Sequence, residues 1–247
     1  MLAALLALWW GFFFFGIYDL LVFLQGPEFH EAFHLETGWG LFFVFVVAAP
    51  LSAIAAAPGR VLPAAPQQVI LAAVAFGVAA GLTLSLEHLL TALGLVGTVA
   101  LLAVTSRDVR ASLTPPRTWH WGPGLLVLGA AAPWSAYALR LADTARAGLY
   151  PEPTGLLDQW PVLAALAIAL ILVGALAATL TTGWRVPAWC VAVCSAWFGI
   201  ASSVYPDLDA ALGRRWGLVA LAWGIAFLAV SHLTAVREQS RLSHSGS

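Results

Sequence analysis

The residues best suited to chemistry stand together at Glu28-Phe29-His30-Glu31-Ala32-Phe33-His34. Positions 30–34 read His-Glu-x-x-His. On a helix, His30 and His34 lie one turn apart on the same face, where two imidazoles can share Zn²⁺ or another divalent cation. Glu31 is then placed to act as the general base on a metal-bound water. A catalytic zinc takes three protein ligands. His88 is the first candidate for the third, with Glu87 and Asp207 next. A second feature is Asp19, which sits about five residues inside an apolar run and so roughly 7–8 Å deep in hydrocarbon. An intramembrane carboxylate is costly and points to a proton relay or a cation ligand. Its alternative is an ion pair with Arg140, near the end of a later apolar run, which would fix helix packing; the pair is the favoured reading.

The pentapeptide at 30–34 resembles the zincin metalloprotease motif. The resemblance covers those five residues and implies a zinc held by His30 and His34 with Glu31 as catalytic base. Intramembrane metalloproteases of the site-2 type add a later Asp-Gly ligand motif; this chain has no Asp-Gly pair. It also lacks a Gly-rich phosphate loop, a Gly-x-Ser-x-Gly turn and a CxxC pair, which argues against a nucleotide-driven pump on this chain alone. All eleven cationic side chains are Arg, so lysine Schiff-base chemistry is excluded. Cys190 and Cys194 stand four apart in an apolar run and read as small packing residues.

The elements that must position these groups are membrane helices. The chain has 247 residues, 61% hydrophobic and 9% charged, whereas a soluble domain carries about 25% charged residues. Too few polar side chains exist to coat a water-facing globule, so lipid is the solvent. A net charge of -1 leaves no basic surface for nucleic acid. Apolar runs fall at 1–24, 38–57, 69–85, 89–105, 123–141, 160–182, 187–204 and 216–236. The expected fold is all-α: a polytopic transmembrane bundle of eight helices built as four hairpins. The alternative of seven helices keeps 69–105 as one long tilted helix. A single membrane domain is expected over 1–236, with a short disordered cytoplasmic tail at 237–247.

Positive charge tests the topology. With both termini cytoplasmic, the inner segments hold Arg60, Arg107, Arg110, Arg117, Arg185, Arg237 and Arg241, and the outer ones only Arg140, Arg146, Arg214 and Arg215. Most carboxylates fall outside, which would gather Glu87, His88, Asp158 and Asp207 on the side of His30 and His34. Three outer connections share Pro, then an acid, then Trp39, Trp160 or Trp216, which suggests a weak internal repeat with Trp as interfacial anchors. Gly77-x-x-x-Gly81 and Gly213-x-x-x-Gly217 are candidate close-packing motifs, and Pro50 and Pro133 are candidate kinks. The expected setting is a bacterial cell membrane, with the bilayer and other membrane proteins as partners. Three functions fit: a non-catalytic membrane subunit or scaffold, which leads because the inner halves of the spans are nearly free of ionisable groups; a small proton- or cation-coupled transporter; and a metal-dependent hydrolase using 30–34.

Overall fold

A computed structural model describes residues 1–29, 32–60, 62–114, 118–148 and 158–245. All regular structure among them is helical. Helices α1 (Leu2–Phe13) and α2 (Gly16–Leu24) form a pair bent by 48°. They are followed by α3 (Phe33–Ala56), α4 (Ala64–Thr83), α5 (Leu86–Thr105), the short α6 (Arg107–Ala111), α7 (Trp121–Ala147), α8 (Trp160–Ala177), α9 (Arg185–Val204) and α10 (Arg214–Ser245). Among the described residues seven helices, α3, α4, α5, α7, α8, α9 and α10, are long and apolar enough to cross a membrane. The bent α1–α2 pair passes the same test when taken together.

The long apolar stretch after residue 69 is two helices, which corrects the single tilted helix held open above. Leu84 takes a left-handed conformation at φ 59 and Ser85 is extended, so the chain reverses there. Helices α4 and α5 then pack side by side.

Helix α8 is the axis of the bundle. It is apolar on every side, as a helix largely enclosed by protein should be. In its most apolar stretch 78% of residues are buried, against 22% for α10 at the periphery. Its neighbours are α3, α4, α7 and α9. Small side chains such as Ala164, Ala165, Ala167 and Ala169 let them approach closely.

Pro50 determines how three of these helices lock together. Proline has no N–H, so it cannot satisfy a carbonyl in the preceding turn. The segment Phe42–Ala48 is π-helical, and the Ala49 N–H reaches back to the Val44 carbonyl. The carbonyls of Phe45 and Val46, five and four residues before Pro50, are left without that donor. Gln68 on α4 supplies the replacement: its Nε2 lies 3.0 Å from the Val46 oxygen and 3.3 Å from the Phe45 oxygen. Cys190 Sγ on α9 also donates to the Phe45 carbonyl. The cysteines are thus buried and free, as packing residues should be, but Cys190 also satisfies backbone. A second π-helical turn, Trp9–Phe13, ends at Phe14, and Trp39 Nε1 lies 2.9 Å from the Phe14 carbonyl.

Trp39 is therefore a buried core residue, not an interfacial anchor, and Trp160 is buried too, whereas Trp216 is exposed. The three tryptophans of the apparent repeat have different surroundings, and the acid of its second copy, Glu152, lies outside the described residues. The glycine motifs also divide. An added Cβ on Gly199 would sit 2.5 Å from the Gly217 carbonyl, and one on Gly217 would sit 2.7 Å from the Gly199 carbonyl. Backbone meets backbone at this α9–α10 crossing. Gly213 instead lies in the preceding turn at φ 79, and Gly81 faces open space.

Helix α10 continues through Arg237 to Ser245, where a disordered tail was expected. Extending an existing helix avoids the cost of nucleation. The Arg241–Glu238 pair at 3.3 Å lies along this extension.

Replacing Gly199 by Ala should force α9 and α10 apart and cost about 1–3 kcal/mol, the usual range for overpacking. Gly81→Ala should be neutral or stabilise by up to about 1 kcal/mol through helix propensity. Thermal unfolding of the purified variants in detergent compares the two; equal midpoints would mean the α9–α10 contact is looser than described.

Candidate functional site

The helix packing brings the polar residues mainly to the two ends of the bundle. At one end lie the α2–α3, α4–α5 and α9–α10 connections and the start of α8. This assignment follows from contacts between Phe33 and Tyr205, between His34 and Phe198, and between His88 and Asp158. At the other end the Ala64 N–H bonds the Thr182 carbonyl, the His120 N–H bonds the Ala178 carbonyl, and Gln67 Nε2 holds the carbonyls of Ser112 and Thr114 at 2.9 and 2.6 Å.

Asp19 lies on α2, and its side chain is turned into the protein, leaving the residue 8% exposed. The charged group facing it is Glu36 on α3. The two meet because α2 and α3 pack almost backbone to backbone: an added Cβ on Gly40 would lie 2.7 Å from the Leu20 nitrogen and 2.8 Å from the Gly16 oxygen. The expected partner, Arg140, is elsewhere. Its guanidinium donates to the Ala211 carbonyl at 2.9 Å and lies over the Tyr137 ring, 5.2 Å from its centroid. Asp19 and Arg140 form no ion pair; the described pairs are His120–Glu238, Arg146–Asp143 and Arg241–Glu238. Arg140 stands one turn past Tyr137 on α7 and finds the carbonyl-rich α9–α10 turn first. Tyr137 itself donates to the Ala210 carbonyl at 2.5 Å.

His34 is wholly buried against Phe33 and Phe198, with ring centroids at 5.3 and 5.8 Å. Neither ring nitrogen has a hydrogen-bond partner, although the Ala201 backbone faces the ring. Thr37, one turn along α3, is buried and unbonded as well. His30 and Glu31 lie outside the described residues.

His88 occupies a different environment. Its ring stacks on Phe76 with centroids 5.6 Å apart, and its Nδ1 lies 2.6 Å from Ser85 Oγ. The backbone carbonyl and the carboxylate of Asp158 face it from the start of α8. Asp158 also accepts the Trp160 N–H at 3.1 Å, which fixes it at that helix start. Glu87 and Asp207 point outward and are exposed.

These positions test a metal shared by His34 and His88. The residues do not fit it: one imidazole is walled by phenyl rings, and the other is committed to Ser85 and Phe76. Among the described residues no three His, Cys, Asp or Glu side chains stand close enough to hold an ion.

Sequence reading passed over Ser85, Glu36 and Gln68. Only Ser85 carried a usable signal, as Ser followed by His three residues later where one apolar run gives way to the next. Comparison with known proteins adds nothing to these assignments, since no family model, curated protein or solved structure matches the chain.

The separation of Asp19 from Arg140 has a measurable consequence. In a double-mutant cycle with Asp19→Asn and Arg140→Gln, the stability changes should add within about 0.3–0.5 kcal/mol, as for independent sites. A coupling above about 1 kcal/mol in thermal or chemical unfolding would restore the ion pair.

Proposed function

We propose that the chain crosses a cell membrane eight times, as four helical hairpins with both termini on the cytoplasmic side, and serves there as a membrane subunit or scaffold. The observation that carries this reading is the filled centre of the bundle. Helix α8 packs against α3, α4, α7 and α9, and side chains of those neighbours bond helix backbone: Gln68 the Phe45 and Val46 carbonyls, and Ser195 the Ala220 carbonyl at 2.7 Å. Conduction needs polar groups along its whole path, and a centre of this kind instead holds shape. The outer helices supply contact surface. Along α10, Leu218, Val219, Ile225, Leu233 and Val236 are exposed and would meet lipid or another membrane protein. The arginine-rich end, with Arg60, Arg107, Arg110, Arg185, Arg237 and Arg241, supports a cytoplasmic assignment.

A second reading is favoured by one specific observation, the Asp19–Glu36 juxtaposition. Two carboxylates facing each other across α2 and α3 repel when both are ionised, so a proton or a cation between them is stabilised. The site would load from the carboxylate-rich end.

A photo-crosslinking residue at Ile225 or Val219 should trap one discrete heteromeric adduct in native membranes, while Leu166 on α8 gives none. Lipid adducts alone at every α10 position would remove the subunit reading. Reconstituted vesicles test the second reading: a proton- or cation-dependent flux should fall at least tenfold in Asp19→Asn, and equal flux in the variant and in empty vesicles would sink it.

A further inference from the structure

The turn between α4 and α5 carries more than a chain reversal. Serine at a helix N-cap ordinarily uses its side-chain oxygen to accept an amide N–H from the first turn. Ser85 is the N-cap of α5 and makes no such bond. Its hydroxyl is directed to His88 Nδ1 at 2.6 Å instead, leaving the first-turn amides of α5 without a side-chain cap. Those amides are donors with no partner inside their own helix, beside the Ser85 oxygen, at the positive end of the α5 dipole.

His88 is held for a role toward Ser85. Stacking on Phe76 fixes the plane of its ring. The Asp158 carbonyl and carboxylate approach the same ring. With the ring proton on Nε2, Nδ1 keeps a lone pair toward the Ser85 hydroxyl, and a base held against a hydroxyl in this way is a recurrent feature of activated nucleophiles. The residue before the serine, Leu84, holds the left-handed conformation at φ 59, a strained placement of the kind concentrated at functional sites.

We propose that Ser85 and His88 form an acyl-transfer dyad at the carboxylate-rich end of the bundle, with Asp158 as a positioning residue and an amphiphilic carboxylic ester as substrate. The substrate class follows from the surroundings. Ser85 is half-buried at a span boundary, between Leu84 and Leu86, which are 83% and 69% exposed. Exposed Glu87 and nearby Asp158 disfavour an anionic head, so the ester is neutral or cationic.

The chemistry balances with water as the second reactant. Ser85 Oγ attacks the ester carbonyl carbon as its proton passes to His88 Nδ1. The carbonyl oxygen gains charge, facing the α5 first-turn amides. The carbon–alkoxide bond breaks, the alkoxide takes the proton from His88, and the acyl group remains on Ser85. Water then attacks the acyl-serine, His88 accepts and returns its proton, and the acid leaves with Ser85 restored. This inference goes beyond the scaffold reading and does not depend on it, because the turn lies outside the packed centre.

The test uses the purified full-length protein in detergent, a fluorophosphonate reporter and a neutral medium-chain nitrophenyl ester. Peptide mass spectrometry should find the phosphonyl group on Ser85. Ser85→Ala should lose the label and the ester hydrolysis. His88→Phe, which keeps a ring on Phe76, should slow both by about a hundredfold, the usual contribution of a general base. Asp158→Asn should keep Ser85 labelling but alter its pH profile, which a purely structural change would not do. Unlabelled Ser85 in wild-type protein with an unchanged melting transition, while a control serine esterase labels in the same detergent, overturns the proposal. So does equal labelling of wild type and His88→Phe.

Discussion

Inside hydrocarbon no water is present to receive a backbone carbonyl that its own helix has released, and this constraint governs the packing of the bundle. Pro50 and the end of the π-helical turn together leave two such carbonyls in the middle of α3. The nearest available donors are Gln68 and Cys190, which belong to two other helices. Satisfying Phe45 and Val46 therefore holds α4 and α9 against α3 at a defined depth. Helix α8, rich in small apolar side chains, packs against all three. The same logic operates at the bend between α1 and α2, where Trp39 reaches the carbonyl of Phe14. Proline and π-helical turns in this chain are accordingly the points at which separate helices are joined.

The remaining helix contacts rest on close approach. Hydrophobicity does not drive one membrane helix onto another, because lipid tails are as apolar as leucine. What favours association is dispersion, which demands short distances, and side-chain hydrogen bonds to neighbouring backbones. Both appear at the α9–α10 crossing. Gly199 and Gly217 bring the main chains together, and Ser195 then reaches the Ala220 carbonyl at 2.7 Å. Trp223 on α10 extends the contact to α7 by donating to the Leu126 carbonyl at 2.9 Å. A small residue at one level thus permits a hydrogen bond at the next.

The helical, membrane-compatible character was legible because it depends on local composition: the eight apolar runs correspond to seven long helices and one bent pair. The tertiary partners were less legible. Asp19 and Arg140 looked complementary by sign and depth, but the tight α2–α3 packing at Gly40 gives Asp19 a carboxylate neighbour instead. No periodicity reports that Gly40 touches Leu20. Trp39 looked like an anchor because tryptophan favours interfaces, yet the carbonyl released at Phe14 recruits its indole N–H. The pairing of Gln68 with Val46 was hidden for the same reason, since it answers a defect created by Pro50 in another helix. His34 and His88 lie toward the same end of the bundle, but their rings have different neighbours.

The location of reactive groups follows from the same solvent argument. Deep in the bundle Gln68 Nε2 and Ser195 Oγ are consumed by backbone carbonyls. A side chain able to do chemistry needs a free lone pair or proton and a route for substrate. Those conditions coincide only where helices end, since water is near and first-turn amides are available. The α4–α5 turn meets both: its serine is half-buried, its histidine is held by Ser85 and Phe76, and its amides have no side-chain cap. The interior of α8 meets neither. A bundle locked by carbonyls that its own helices release can therefore close at its centre while leaving polar side chains at its rim.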